Sequence, residues 1–258
     1  AILAQAFLSY QAPQASCYSK MRLVVLGATG DTGKPLVRVA LELGHTVTAI
    51  VRDAQKVSST HPNLKVVVAD VFDPASMQPH FQEHDAVLSV IGFPKQETPM
   101  SLFTDSMKAV LGAMKESGVR RLVTISAWYT DPATRVGQHM FDNMWTKVPG
   151  LVQTLNNEGE MDALLAQSTA DVDYTSVRVP TLTWDPATGK EVMVQDGSWV
   201  DNGSGFMPRE DVARFMLSTL DDVAKWNGRA VAVAIKYTDE EMQAAAERFQ
   251  AHMAMYMK

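Results

Sequence analysis

The chain has 258 residues, a formal net charge of -6, 46% hydrophobic residues and 20% charged residues. That composition excludes a largely disordered chain and a whole-chain basic footprint for nucleic acid. The lone cysteine, Cys17, excludes an internal disulfide and a cysteine-based zinc site, and no run of about 18 apolar residues marks a spanning helix.

Residues 1–20 carry small residues, Gln, Ser and one proline, with no strand alternation. Two readings stand for them: an extension or processing remnant, or part of an organellar targeting segment. They are set apart from the fold here, with Phe7, Leu8 and Tyr10 as residues that can pack on the domain or a partner. Regular patterning starts at Met21. One domain is expected over 21–258, with substrate-side loops at 127–156 and 181–207.

Arg22–Leu26 reads as a buried first strand ending at Gly27, followed by a helix over 32–43 that Gly44 stops. Thr46–Val51 is the second strand, and Asp53 caps a short helix over 54–59. Leu64–Ala69 is the third strand, and Asp73-Pro74 then gives a cap and a first-turn proline. Ala86–Ile91 is the fourth strand. Thr98 and Pro99 repeat the cap-proline grammar for a helix that runs to Ser117, with Gly118 as its stop. Arg121–Ile125 is the fifth strand.

Residues 127–156 read as irregular, with a Met/Phe/Trp cluster around Met140–Trp145. A loop of that length is more often functional than filler, so it is the expected lid or substrate wall, against a short surface helix around 138–146. A helix over 157–167 leads to strand Asp173–Val179. Lys190–Val194 and Ser198–Val200 read as a hairpin turning at Asp196-Gly197. A helix opens at Pro208 and runs to Leu220, Ala230–Ile235 is a last strand, and Thr238 with Glu241 forms a capping box for the final helix. The apolar face of that helix, from Met242 to Tyr256, is expected to cover the parent sheet, or else a second subunit. Repeated strand–helix pairs with continuously apolar strands imply an α/β fold: a Rossmann-type, doubly wound, mostly parallel sheet with helices on both faces.

The chemistry concentrates at Gly27-Ala28-Thr29-Gly30-Asp31-Thr32-Gly33, a G-x-x-G-x-x-G loop between a strand and a helix. Gly27 permits a tight strand exit, Gly30 lets backbone N–H groups approach a pyrophosphate, and Gly33 lets the helix lie close to the sheet. The helix N-terminus favours bound phosphate. Thr29 and Thr32 fall in the same cradle, and the Asp31 carboxylate is expected to point away from the phosphates. The second strand ends at Arg52, whose fork suits a 2′-phosphate, and at Asp53, which sits at the spacing of an NAD-type acid. Arg52 tips this reading to NADP, with Asp53 as a cap. Asp70 and Val71 reach either the adenine region or a loop cap, and Ser89 to Gly92 bring the fourth strand under the cofactor.

Ser126 ends the fifth strand at the carboxyl edge where open α/β sheets bind ligands, and it is the candidate catalytic residue. Trp128 and Tyr129 can stack on a flat substrate or pack in the core, and Thr181 and Trp184 fall on the same rim. Tyr-x-x-x-Lys is absent, so the proton machinery of ordinary alcohol dehydrogenation is missing. Hydride delivery to a flavin, a quinone or a related conjugated acceptor needs less of it. The six histidines show no metal spacing, so no metal site is expected, and His139 is a minor candidate proton donor.

GATGDTG, Arg52, Ala69-Asp70-Val71 and Thr124-Ile125-Ser126-Ala127 together resemble the atypical short-chain dehydrogenase/reductases, in their flavin-reductase (biliverdin reductase B-like) and NmrA-like branches. The resemblance spans about 21–235. It implies a seven- or eight-stranded sheet, NADPH on Gly27, Gly30 and Gly33, the 2′-phosphate on Arg52, and Ser126 beside nicotinamide and substrate. The implied activity is NADPH-dependent reduction of a conjugated acceptor, and the alternative is a non-catalytic NAD(P)-binding regulator or scaffold of the NmrA-like type. The expected partner is a small-molecule acceptor, with no nucleic acid, as a monomer or homodimer. The expected location is the cytoplasm, or an organelle if the first twenty residues are a targeting segment.

Overall fold

The structure is a computed structural model, and it describes residues 8–10, 19–92, 101–135 and 150–256. Phe7, Cys17, Thr98, Pro99, His139 and the Met140–Trp145 cluster lie outside the described residues. The strands are β1 (Leu8–Tyr10), β2 (Arg22–Leu26), β3 (Thr46–Val51), β4 (Leu64–Val68), β5 (Ala86–Ser89) and β6 (Arg121–Ala127). They continue with β7 (Asp173–Val179), β8 (Thr181–Thr183), β9 (Val192–Asp196), β10 (Phe206–Pro208) and β11 (Arg229–Ala234). The helices are α1 (Gly33–Glu42), α2 (Pro74–Met77), α3 (Leu102–Ser117), α4 (Leu151–Gln167), α5 (Arg209–Ser218), α6 (Val223–Trp226) and α7 (Asp239–Tyr256).

Alternation inside an unbroken apolar run builds the two-sided sheet. In β2, Leu23 and Val25 face the core beneath α1 and α5, while Val24 and Leu26 face the one beneath α3 and α4. All four are fully buried. At about 1.5–3 kcal/mol for each such side chain, this pattern drives both faces to be covered. The sheet order is β1-β9-β11-β7-β6-β5-β2-β3-β4. Six neighbouring pairs from β11 to β4 are parallel; β9 on β11 and β1 on β9 are antiparallel. The chain leaves β2 for β3 on one side and returns to β5 on the other, which places a crevice beyond their carboxyl ends.

Several expectations are corrected. The sheet has nine strands among the described residues, beyond the seven or eight implied by resemblance. One of them, β1, comes from the segment set apart from the fold: Leu8–Tyr10 pairs antiparallel with Val192–Val194 and covers what is otherwise an open strand edge. The 190–200 hairpin is absent, because Val192–Asp196 pairs with β11 and β1 instead of folding back on Ser198–Val200. Gly197, at φ +128°, still makes the turn. The stretch after Asp53 is one 3-10 turn, Ala54–Lys56, rather than a helix to 59, although Asp53 caps it by accepting from the Gln55 N–H. The 127–156 stretch is not irregular throughout, since α4 starts at Leu151, behind Gly150 with φ +78°. Finally, α7 does not lie on the parent sheet. Its Phe249 packs on Trp184 and Phe206, so it covers the two-stranded β8–β10 unit.

The caps at Asp73 and at Thr238 with Glu241 form as the sequence predicts. Those bonds are local, so the chain neighbours alone decide them.

Candidate functional site

A cleft of about 480 Å³ opens at the crevice beyond β2 and β5. Its cofactor end is the glycine loop. Gly27 leaves β2 at φ +78°, where a Cβ would lie 2.6 Å from the Val90 carbonyl oxygen. A Cβ on Gly33 would lie 2.1 Å from the Gly27 carbonyl, so α1 packs this close only because Gly33 has no side chain. Gly30 closes the turn by donating to the Gly27 carbonyl at 3.0 Å, and a side chain there would project from a residue that lines the cleft. The first turn of α1 carries no acidic residue, leaving its positive end to a phosphate. These features fit a dinucleotide pyrophosphate.

Of the residues the sequence offers for the cofactor, Gly27, Thr29, Gly30, Asp31, Thr32, Arg52, Val71 and Gly92 line the cleft. Asp31 does turn its carboxylate to a partner: Oδ2 accepts from Trp184 Nε1 at 3.0 Å, across the cleft mouth. Arg52 is exposed at the tip of β3, and Phe72, 45% exposed, lines the same region. Asp70 is a loop cap rather than a cleft residue, since its Oδ1 accepts from the Phe72 N–H. Ser89 is buried beneath the floor, and its carbonyl accepts from Thr124.

At the other end Ser126, Ala127, Val179 and Leu182 form the wall. Ser126 is 2% exposed, and its hydroxyl bonds Asp162 Oδ2 at 3.3 Å and Ser176 Oγ at 3.1 Å. Ser176 donates to Asp162 Oδ1 at 2.5 Å, and Arg178 Nε donates to Oδ2 at 2.9 Å. Asp162 is thus a buried carboxylate that accepts three hydrogen bonds and is paired with Arg178. Glu158 stands one turn earlier on α4 and lines the cleft itself. Burial, and then the nearby Asp162 charge, push its carboxyl up to about 8. Arg209 also lines the cleft, donates to the Leu182 carbonyl and lies 4.0 Å over the Trp184 ring.

Three other predicted site residues sit elsewhere, and a fourth, Trp184, stays at the rim. Trp128 and Tyr129, 5% and 6% exposed, pack with Val200, Ala232 and Ala234 in a third core cluster instead of facing a substrate. Tyr129 takes φ +64° to turn inward, and burial raises its phenol above the ordinary range. Thr181 is buried on β8, and Trp184 stacks on His252 at the rim. Among the described residues no cluster of His, Cys, Asp and Glu could hold a metal.

The sequence reading missed Glu158, Asp162, Ser176, Arg178 and Arg209. The one available signal is the acidic pair at i and i+4 in Asn157-Glu158-Gly159-Glu160-Met161-Asp162, which places Glu158 and Asp162 on one helix face.

Fold and cleft define a Rossmann-type protein with a glycine-loop dinucleotide cradle. The model of the NAD(P)H-binding family matches residues 27–223, and the chain belongs to that family. An uncharacterised chloroplast protein of Arabidopsis thaliana is 29% identical over 212 residues, 77% of this chain and 71% of that protein. The 3-diazoavenalumate denitrifying reductase of a Streptomyces species is also 29% identical, over 66% of this chain and 58% of the reductase. A solved Streptococcus pneumoniae structure, of a protein proposed to be an NADH-flavin reductase, superposes with TM-score 0.63 at 19% identity over 84% of this chain and all of that one. At that identity the likeness concerns the fold.

Proposed function

We propose that the protein is an NADPH-dependent reductase that delivers hydride to a flavin, a quinone or a related conjugated acceptor. One observation carries the reading: a single cleft runs from the glycine cradle past Arg52 to Ser126 and Glu158. Bound NADPH supplies the hydride. Gly27, Gly30 and the start of α1 hold its pyrophosphate, Arg52 takes the 2′-phosphate, and Val71 with Phe72 gives the adenine an apolar wall. Ser126, fixed by Asp162 and Ser176, offers its hydroxyl region to the acceptor end. The absence of Tyr-x-x-x-Lys supports an acceptor whose reduction does not rely on that pair.

The test has two parts. Fluorescence titration is expected to show tighter binding of NADPH than of NADH, and NADPH oxidation is expected with at least one acceptor of a flavin and quinone panel. Tight cofactor binding with no turnover across the panel sinks the reductase and favours the regulator or scaffold reading. We further propose one NAD(P)-binding unit over 21–258, to whose sheet Leu8–Tyr10 adds an edge strand, as a monomer or homodimer acting in the cytoplasm. The chloroplast relative supports an organelle instead if residues 1–20 address it. Among the described residues no helix is long and apolar enough to cross a membrane.

A further inference from the structure

We propose that Glu158 is the proton donor of this reaction, a role that rests on the reductase reading above. Two observations point there. Among the described residues, Glu158 is the one carboxylic acid on the Ser126 side of the cleft lining. Its Oε2 is sealed from solvent with no hydrogen-bond partner, an unusual state for a buried carboxyl oxygen. A proton on the carboxyl removes the cost of an unpaired buried charge, and carried on the second oxygen it gives an O–H to donate into the cleft that Glu158 lines.

The surroundings keep it protonated. Asp162, four residues on, holds the local negative charge, and the Arg178 guanidinium that could have neutralised Glu158 is engaged by Asp162 and by the Gly197 carbonyl. Among the described residues, the other charged groups of the cleft lining are Asp31, Arg52 and Arg209. Asp31 accepts from Trp184, and Arg209 donates to the Leu182 carbonyl while stacking on Trp184. A carboxyl titrating at about 8 retains its proton at neutral pH. Two carboxyls one turn apart therefore divide the work: Asp162, bonded to Ser126, Ser176 and Arg178, fixes the serine, and Glu158 stays neutral and donates.

Gly159 makes the placement possible. A Cβ there would lie 2.8 Å from the Thr130 carbonyl oxygen, so only glycine lets α4 approach the exit of β6 closely enough to bring Glu158 to the cleft.

In the step, the acceptor takes a hydride from the reduced nicotinamide. The Glu158 O–H bond breaks, and its proton goes to the acceptor heteroatom on which negative charge develops. The carboxylate left behind regains a proton from water. Overall, NADPH, acceptor and one proton become NADP and the dihydro acceptor.

The experiment compares the wild-type protein with E158Q and E158D. NADPH titration is expected to give equal affinity for all three. With an acceptor that the wild type reduces, kcat is expected to fall above pH about 8, to drop about 100-fold in E158Q, and to be partly restored in E158D. Infrared titration of the cofactor-free protein is expected to show a protonated-carboxyl band lost with a midpoint near 8, and absent from E158Q. Unimpaired kcat in E158Q at every pH, or no such band at pH 6.5, overturns the assignment to Glu158. A wild-type protein that binds NADPH but reduces nothing overturns the underlying reductase reading instead.

Discussion

At the residue scale, the proposed cofactor preference rests on Arg52 and the proposed pH response on Glu158. Arg52 is exposed at the tip of β3, on the wall of the cleft. A guanidinium there contributes charge-assisted bonds to a 2′-phosphate and nothing to a bare ribose hydroxyl. Arg52→Gln is expected to weaken NADPH binding about 10- to 100-fold and to leave NADH binding within about twofold, as read by titration of both. Glu158 acts on stability as well as chemistry. Its carboxyl titrates at about 8 in the folded protein, above the ordinary value of 4.5. The unfolded chain therefore releases this proton first, and stability that is full below the unfolded value is lost as pH rises through 8. Glu158→Gln removes this dependence. The variant is expected to melt with the wild type at pH 5 and at least about 2 °C above it at pH 9, measured by calorimetry without cofactor.

At the element scale, α4 holds the chemical end of the site, and long-range bonds set its position. Asn157 on α4 accepts from the Phe103 and Thr104 N–H groups, at 2.9 and 3.3 Å, so a neighbouring helix caps the start of α3. Ser101, the residue just before α3, makes no side-chain cap bond. The Asn157 side-chain NH₂ also donates to Thr104 Oγ1 at 3.0 Å, which fixes the register between the two helices. Asn157→Ala removes that cap and leaves two buried donors without a partner. A loss of about 1–2 kcal/mol in urea unfolding is expected, together with a lower kcat if the register positions Glu158. On the other face, α1 and α5 are joined at their solvent edge by Arg38, which bonds Glu42 at 2.7 Å and Glu210 at 2.5 Å. Such exposed pairs contribute little, and the apolar faces beneath them hold the helices.

At the scale of the whole molecule, a chain of net charge -6 presents two arginines, Arg52 and Arg209, to the cleft that is to receive an anionic cofactor. The cleft exists because the connection reverses direction at β2, so its walls come from elements far apart in sequence: the glycine loop, β3, β6, α4 and β8. A ligand bridging those walls stabilises the folded state against the unfolded one. NADPH at about 100 times its dissociation constant adds about 2.7 kcal/mol, which corresponds to a melting rise of about 5–10 °C for a chain of this size. Differential scanning fluorimetry checks it, and NADH at equal concentration is expected to give the smaller shift.

Local chemistry made much of this readable from the chain itself. The strand–glycine–helix passage depends on φ at Gly27 and on the absence of a Cβ at Gly33. The caps at Asp53, Asp73 and Thr238 depend on residues two or three positions away. The unbroken apolar runs of β2 and β5 required a sheet covered on both faces. Tertiary contact decided the rest. An aromatic residue reads alike whether it stacks on a substrate or fills a core, and only the packing of β11 and the 198–200 segment drew Trp128 and Tyr129 inward. An apolar strand does not name its partner, so β9 joined β11 and β1 across gaps of 35 and nearly 190 positions. Glu158 looked like one acid among many on a helix. Its proton affinity comes from the removal of water and from Asp162, and those are properties of the folded surroundings that the residue's own letter does not carry.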